Sequence, residues 1–389
     1  MRTLSLALSL LSSSACGLDP AKLPTTRLYA DDGVSVESAD ALHFAVVGAT
    51  RSAVTGKGDP VPAQQVIADL RAQKPIQDLK FAVLTGGQVA RSATSEWTGF
   101  GDRWSAILDN SVPSENKSRL PAIALPGHGE ALGDATLTGL GAAFPGTGAD
   151  IGHGRVASWS RVDARVGDTV WRLVFLDAHR KQLGSRWEEE LYWLPAQVSG
   201  DDFDHLLLFV NEPRFTTANG WHIGGDTGTA ELLEVVDAHA DVMKLTAVFA
   251  GGPATNEVYL PGGAFGELHV VAGNSGVPGD TFARGASPIA AGLDEPLLLD
   301  ESFGRVLLAS ASDAARELEL SDKFREQLNG AEGVAPRFPS DWATVGWWSV
   351  ELRPGAMSAT FRERAWDGSF SAHYRADWSR RGGWSSTTW

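Results

Sequence analysis

Five apolar runs of strand length end in short turns that are rich in glycine and small polar residues. The first covers residues 43–48 and opens into Ala49-Thr50-Arg51; the turns after the others are Gly86-Gly87, Gly127-His128-Gly129-Glu130, Asn211-Glu212-Pro213 and Gly251-Gly252-Pro253-Ala254. A continuous apolar run is typical of a strand that is buried on both faces. In an α/β protein such strands bring their carboxyl ends to a functional crevice. The five turns are therefore expected to line one site.

Helical patterns alternate with these runs, and this order predicts a largely parallel sheet with helices packed on it. Asp59-Pro60 has the pattern of an N-cap before a first-turn proline, and Ser185 with Glu188 has that of a capping box. Residues 136–154, rich in glycine, are predicted as a loop. Two helices are predicted to begin near Pro60 and Ser185, and two more are predicted over residues 96–108 and 229–240. The predicted strands are residues 43–48, 80–86, 121–125, 156–162, 169–176, 205–210, 244–251 and 267–273.

The pattern changes after about residue 280, so the chain is divided into a main domain, residues 42–280, and a C-terminal region, residues 281–389. Residues 312–328 are acidic with a helical period. Two apolar segments, 346–352 and 356–361, flank Arg353-Pro354-Gly355, which predicts a hairpin. The tail is rich in tryptophan, which favours packing on a sheet; the alternative is a sugar- or peptide-binding surface.

The first 16 residues have the organisation of a secretory signal peptide. A charged start, Met1-Arg2, precedes a short apolar run, and small residues lead to Cys16. A cysteine in this position resembles the lipidated residue of a bacterial lipoprotein, so we expect an exported protein held on the cell envelope by a lipid on Cys16, with residues 17–41 as a tether. The alternative is a secreted or periplasmic protein cleaved near Ala15. A single cysteine excludes an intramolecular disulfide.

The formal net charge of −15 limits the partners of this chain. Nucleic acids and anionic membrane surfaces are bound by positive potential, which an acidic protein of this kind lacks overall. No nucleic-acid partner is expected, and contact with a membrane is expected only through the lipid.

The order of the strand-end turns and of the helices between them resembles the calcineurin-like metallophosphoesterases, over residues 42–276. The segment Leu176-Asp177-Ala178-His179-Arg180 before a helix also resembles a mid-chain segment of that family. The resemblance implies a four-layer α/β/β/α sandwich, here with a C-terminal β-hairpin and a tryptophan-rich extension. It also implies a dinuclear site of manganese, iron or zinc, in which a bridging water or hydroxide attacks phosphorus.

The residues that hold the metals in that family are replaced in this chain. The first aspartate falls on Ala49, and the bridging aspartate falls on Gly87. Two doubly charged cations close together repel each other and need carboxylates to offset their charge. The expectation is therefore a fold without the metal site, and without a cofactor. The degenerate family positions are Ala49, Arg51, Gly87, His128, Gly129, Asn211, Gly252 and Ala254.

These replacements favour a non-catalytic binding or scaffold protein whose ligand, a protein or a small molecule, the sequence does not identify. The alternative is an active phosphoesterase with an unorthodox site, for which His128, His179 and His222 with Asp177 and Asp226 are the candidate ligands. The residual crevice contacts are predicted to be Arg51, His128, Asn211 and His222. Arg51 and His128 are candidates to bind an anion; the alternative is that Arg51 pairs with a carboxylate such as Glu130.

Overall fold

Two mixed β-sheets pack face to face in the computed structural model of this chain, and helices cover their outer faces. The structure describes residues 36–50, 61–109, 119–131, 134, 136–144, 158–214, 228–241, 243–252, 256–259, 266–273, 275, 345–365 and 367–388. The predicted helix 312–328, the signal peptide with Cys16 and most of the tether lie outside these residues. None of the helices described is long and apolar enough to cross a membrane.

In the described part of the chain, one sheet has eight strands, in the order β15-β14-β13-β12-β2-β3-β5-β4. Strands β2, β3, β5 and β4 run parallel, whereas β12 to β15 add antiparallel neighbours beside β2. The sheet is therefore half parallel and half antiparallel. Its strands are β2 (Leu42–Val47), β3 (Leu79–Leu84), β4 (Leu108–Asp109), β5 (Leu120–Ala124), β12 (Gly346–Arg353), β13 (Ala356–Arg364), β14 (Phe370–Ser379) and β15 (Gly383–Thr388).

The other sheet has seven strands among the described residues, in the order β1-β6-β7-β8-β9-β11-β10. Strands β7, β8, β9 and β11 are parallel, and β6 and β10 are antiparallel to their inner neighbours. The parallel centre places the carboxyl ends of β7, β8 and β9 at one edge. The strands are β1 (Val36–Ser38), β6 (Ser160–Val166), β7 (Thr169–Leu176), β8 (His205–Val210), β9 (Leu245–Ala250), β10 (Asn256–Tyr259) and β11 (Leu268–Ala272).

Among the residues that the structure describes, three apolar cores hold the layers together. The inter-sheet core contains a run of stacked rings, in which the Phe175 and Phe209 ring centres lie 4.9 Å apart and those of Phe209 and Phe249 lie 5.3 Å apart. The second core lies between the eight-stranded sheet and its helices, and the third between the seven-stranded sheet and α6 and α7. This arrangement is the four-layer α/β/β/α sandwich. The helices are α1 (Val61–Gln77), α2 (Thr94–Trp104), α3 (His128–Ala131), α4 (Thr138–Ala143), α5 (Arg180–Leu183), α6 (Arg186–Val198) and α7 (Thr229–His239).

Several local predictions were correct. The apolar face of α1 is buried at Val66, Ile67 and Leu70. The hairpin of β12 and β13 turns at Pro354-Gly355, where Gly355 has a φ of +65°, a value that glycine adopts without steric cost. The tryptophans of the C-terminal strands pack inward, since Trp347, Trp348 and Trp384 are buried and Trp378 lies against the inter-sheet core.

Other predictions were wrong. The last part of the predicted tether, Val36–Ser38, is strand β1, which pairs parallel with β6. The helix predicted over 96–108 ends at Trp104, and Leu108 instead pairs with Leu120. The strand predicted over 156–162 is β6, Ser160–Val166, and α4 lies within the predicted loop.

The capping box at Ser185 is also absent. The backbone of Ser185 is already helical, with φ −63° and ψ −20°, and its side chain caps no N–H group. A capping side chain needs an extended backbone at its own residue, but here the short helix α5 leads directly into α6. The apolar stripe of α6 was nevertheless correct, because Trp187, Leu194 and Val198 are buried.

Candidate functional site

The carboxyl ends of strands from both sheets meet at one edge of the sandwich. A β-carbon added to Gly251, after β9, would lie 1.9 Å from the carbonyl oxygen of Thr85, after β3. The same test at Gly48, after β2, places the β-carbon 1.9 Å from the carbonyl oxygen of Ala272. Only glycine permits these backbone approaches. The carboxyl ends of strands from the two sheets are therefore in direct contact at this edge.

Ala49 and Gly87 lie side by side at the centre of this edge. The Ala49 amide donates to the Gly86 carbonyl oxygen at 2.9 Å, and a β-carbon on Gly87 would lie 3.1 Å from the Ala49 α-carbon. Ala49 has a φ of +45° and Gly87 a φ of +75°. The turns thus come together as the resemblance implies, but neither residue has a side chain that binds a metal.

Gly129 occupies a position that has no room for a side chain. A β-carbon there would lie 2.1 Å from the carbonyl oxygen of Val89 and 2.9 Å from that of Ala90. Since real β-carbons do not approach backbone atoms this closely, the histidine that the family carries here does not fit this backbone.

The carboxylate of Glu130, which is fully buried, joins the turns after β3 and β5. Its Oε1 accepts from the Val89 amide at 2.6 Å, and its Oε2 accepts from the amides of Gly127 at 2.6 Å and Gly87 at 3.2 Å. Burial raises the pKa of Glu130, and these backbone hydrogen bonds oppose the rise. Glu130 is therefore committed to backbone donors. Arg51, its predicted partner, lies outside the described residues.

A second buried network lies at the ends of β7 and β8. His179 donates from Nδ1 to Asp177 Oδ1 and from Nε2 to Glu212 Oε1, both at 3.0 Å. The Asn211 side-chain amide donates to Asp177 Oδ1 at 2.6 Å and to the Pro126 carbonyl oxygen at 2.7 Å, and its oxygen accepts from the Ala178 amide. Asn211 therefore connects the two sheets through its side-chain amide.

The charges of this network follow from its partners. Burial by itself lowers the pKa of His179, but hydrogen bonds and charge from Asp177 and Glu212 outweigh it and raise the pKa to about 10. Burial raises the pKa of Asp177, yet hydrogen bonds from His179 and Asn211 leave it below its usual value. His179 is therefore an imidazolium that faces two carboxyl groups at neutral pH. A metal ligand must be a neutral imidazole.

Glu190 is a further buried acid that the sequence analysis missed. Its Oε1 accepts from the Asp177 amide at 2.8 Å. Burial, and next the charge of Asp177, raise the pKa of Glu190 well above its usual value. A signal was present in the sequence, because Glu190 lies three residues after Trp187 and four before Leu194, on the apolar stripe of α6.

The other predicted site residues are divided between the surface and the part of the chain that is not described. His128 is exposed, and its ring centre lies 6.3 Å from that of His179. Gly252 follows β9 with a φ of +94°. Arg51, His222, Asp226 and Ala254 lie outside the described residues. The structure thus brings together Ala49, Gly87, His128, Gly129 and Asn211.

These residues do not fit a pair of divalent metals. Within the described ranges, no group of three or more His, Cys, Asp or Glu side chains is arranged to hold a metal ion. Two dications need several oxygen and nitrogen ligands with compensating negative charge. Glu130 and Asn211 have used their acceptor groups on the protein itself, and both nitrogens of His179 face carboxyl groups.

Comparison with known proteins rests on structure, because no protein-family model and no curated protein sequence matches this chain. A purple acid phosphatase from yellow lupin (Lupinus luteus) seeds matches with a TM-score of 0.54 and 13% identity, over 88% of this chain and 54% of that one. PhoD matches with a TM-score of 0.54 and 8% identity, over 90% and 72%.

GAP50 of Plasmodium, described as the anchor in the inner membrane complex, matches with a TM-score of 0.50 and 12% identity, over 86% of this chain and 88% of that chain. At these identities the matches establish the fold alone. This chain therefore has a metallophosphoesterase-type fold, as the order of its strand-end turns predicts.

Proposed function

We propose that this chain is a non-catalytic binding or scaffold protein built on the metallophosphoesterase-type fold. The observation that carries the proposal is the pair Ala49 and Gly87, which lie in contact at the crevice centre where the resemblance implies two aspartates. Without carboxylates there, two doubly charged cations have no compensating charge. The closed space at Gly129 supports the same conclusion.

The uses of this fold in other proteins are compatible with the proposal. Two neighbours are named as phosphatase or PhoD, whereas GAP50 is described as an anchor. A shared fold does not imply a shared activity, which depends on the residues of the site. In this chain those residues bind one another and the backbone, which favours a role as an anchor or scaffold over hydrolysis.

Metal analysis combined with a phosphoesterase assay tests this proposal. The purified protein, incubated with manganese, iron or zinc and then desalted, is expected to retain less than one equivalent of metal. It is expected to hydrolyse p-nitrophenyl phosphate and bis-p-nitrophenyl phosphate no faster than a mock purification. Two tightly retained metal ions per chain together with turnover would show an unorthodox active site and defeat the proposal.

We also propose that the protein is exported and anchored to the cell envelope through Cys16. The support is the signal-like segment before Cys16. An alkyne fatty-acid analogue is expected to label the wild-type protein in cells and to leave Cys16→Ala unlabelled, since the thiol is the acceptor of the lipid. Equal labelling of both proteins would refute the anchor, and Thr25→Ala, in the predicted tether, serves as the matched control that keeps the cysteine and the residues before it.

A further inference from the structure

His205, the first residue of β8, lies where the two sheets meet, at the end of the sandwich opposite the strand-end turns. Its side chain is buried, with an exposure of 2%. Its ring centre lies 4.4 Å from that of Trp171, on β7 of the same sheet, and 5.0 Å from that of Trp378, on β14 of the other sheet. The two tryptophan rings lie 6.0 Å apart, centre to centre. The imidazole is therefore part of the contact between the sheets at this end.

This position favours the neutral form of the ring. His205 Nδ1 is buried and has no hydrogen-bond partner among the residues that the structure describes. Both nitrogens of an imidazolium are donors, and a charge that is buried without a partner is costly. Burial accordingly lowers the pKa of His205 to about 4. The packed contact between the two tryptophans thus holds an uncharged imidazole at neutral pH.

The charged groups closest to His205 act in both directions. Asp204 favours the protonated ring, but its Oδ2 already accepts from the Val170 amide at 2.8 Å. Lys244, directly before β9, and Arg380, in the turn after β14, both oppose protonation. The positive groups come from elements on either side of the contact, and they act with burial to keep the ring neutral.

Two further arginines near this contact are bound to other groups. Arg172, which follows Trp171 on β7, donates from Nε and Nη2 to Asp163 at 2.8 and 2.9 Å. The guanidinium of Arg353 pairs with Glu351 at 2.6 Å, and its backbone carbonyl oxygen accepts from the Trp171 indole at 3.1 Å. The Trp171 indole N–H is thus used to join the seven-stranded sheet to the end of β12, beside His205.

We propose that His205 is an acid-sensitive contact between the two sheets, and that protonation of its ring releases β14 and β15 from β7 and β8. The inference goes beyond the proposed function, because it concerns the opposite end of the fold. A histidine that is neutral when folded but takes up a proton when unfolded gives stability that is lost as the pH falls. The loss begins near the ordinary pKa of 6.5, where the unfolded chain binds the proton, and is complete near 4, where the folded chain binds it.

Denaturant unfolding of the wild type and His205→Phe from pH 7 to pH 4 tests the inference, since phenylalanine keeps an aromatic ring but binds no proton. The unfolding equilibrium constant of the wild type, divided by that of the variant, is expected to rise about tenfold for each pH unit between 6.5 and about 4. Met357→Ala is the matched control: Met357 is buried opposite Trp378 and does not titrate, so its ratio to the wild type should be the same at each pH. A ratio for His205→Phe that stays constant, or that falls in acid, would overturn the inference.

Amide hydrogen exchange of the wild type shows where the structure opens. Protection, corrected for the intrinsic exchange rate, is expected to fall in β14 and β15 before it falls in β2 and β3 as the pH is lowered. An equal loss in all four strands would mean global unfolding and would contradict a local release. If His205→Phe does not fold, nuclear magnetic resonance of the wild type decides: the ring of His205 should titrate near pH 4, and a midpoint closer to 6.5 than to 4 would refute the inference.

Discussion

Replacing His179 with alanine is expected to lower the free energy of unfolding by about 3–5 kcal/mol near pH 6.5, because it leaves buried charge uncompensated. Asp177 and Glu212, both nearly inaccessible to solvent, would then face each other without the imidazolium between them. Denaturant unfolding followed by circular dichroism measures the loss. His128→Ala is the matched control, since His128 is exposed, and is expected to change stability by less than about 0.5 kcal/mol.

The cost of this substitution is expected to depend on pH. The pKa of His179 is raised from 6.5 to about 10 in the folded state, so its stabilising contribution is complete below pH 6.5 and is lost as the pH rises through about 10. The difference between wild type and His179→Ala should therefore shrink by up to about 1.4 kcal/mol per pH unit across this window. A difference that stays constant from pH 6.5 to 9.5 would mean that His179 is neutral in the fold.

Replacing Glu130 with alanine is expected to cost about 3–5 kcal/mol, because it removes one carboxylate from three backbone amides. Each buried N–H group that loses its acceptor destabilises the folded state. The substitution also removes the cost of burying the carboxylate, which the raised pKa of Glu130 reflects, so part of the loss is recovered. The measurement is again denaturant unfolding, together with amide hydrogen exchange at Gly87, Val89 and Gly127.

The exchange measurement separates a local from a general effect. Faster exchange is expected first at the three amides that Glu130 accepts from, because these hold the turns after β3 and β5 together. Glu188→Ala, at an exposed helix position, is the control and should stay within about 0.5 kcal/mol of the wild type. A loss below about 1 kcal/mol in Glu130→Ala would show that solvent replaces the carboxylate at these amides.

The apolar runs predicted most of the central strands with small errors in their ends. Runs such as Leu42–Val47 and His205–Val210 are buried on both faces, and this burial leaves a plain signal in the sequence. The strands β1, β4 and β10, each with two to four residues, gave no such signal. Short edge strands exist because of pairing with a neighbour, and pairing is not visible in local composition.

The residues of the candidate site were likewise predictable from the sequence only in part. Ala49 and Gly87 were recognisable from the sequence because they end strong strand patterns in a familiar order. The role of Glu130 was not recognisable, since its backbone N–H donors come together only when the turns after β3 and β5 approach each other. The cap predicted at Ser185 failed for the same reason: the preceding backbone continues from α5 and is set by tertiary packing.

The sequence by itself determined the layered α/β fold and the residue types at the strand ends, because apolar periodicity and side-chain identity are local properties. Only the tertiary structure decided that Asp177, His179, Glu190 and Glu212 share one buried cluster. These residues come from the turn after β7, from α6 and from the turn after β8, and their charges interact strongly only because folding removes water from between them. Proximity and desolvation are properties of the packed chain, so no local pattern encodes them.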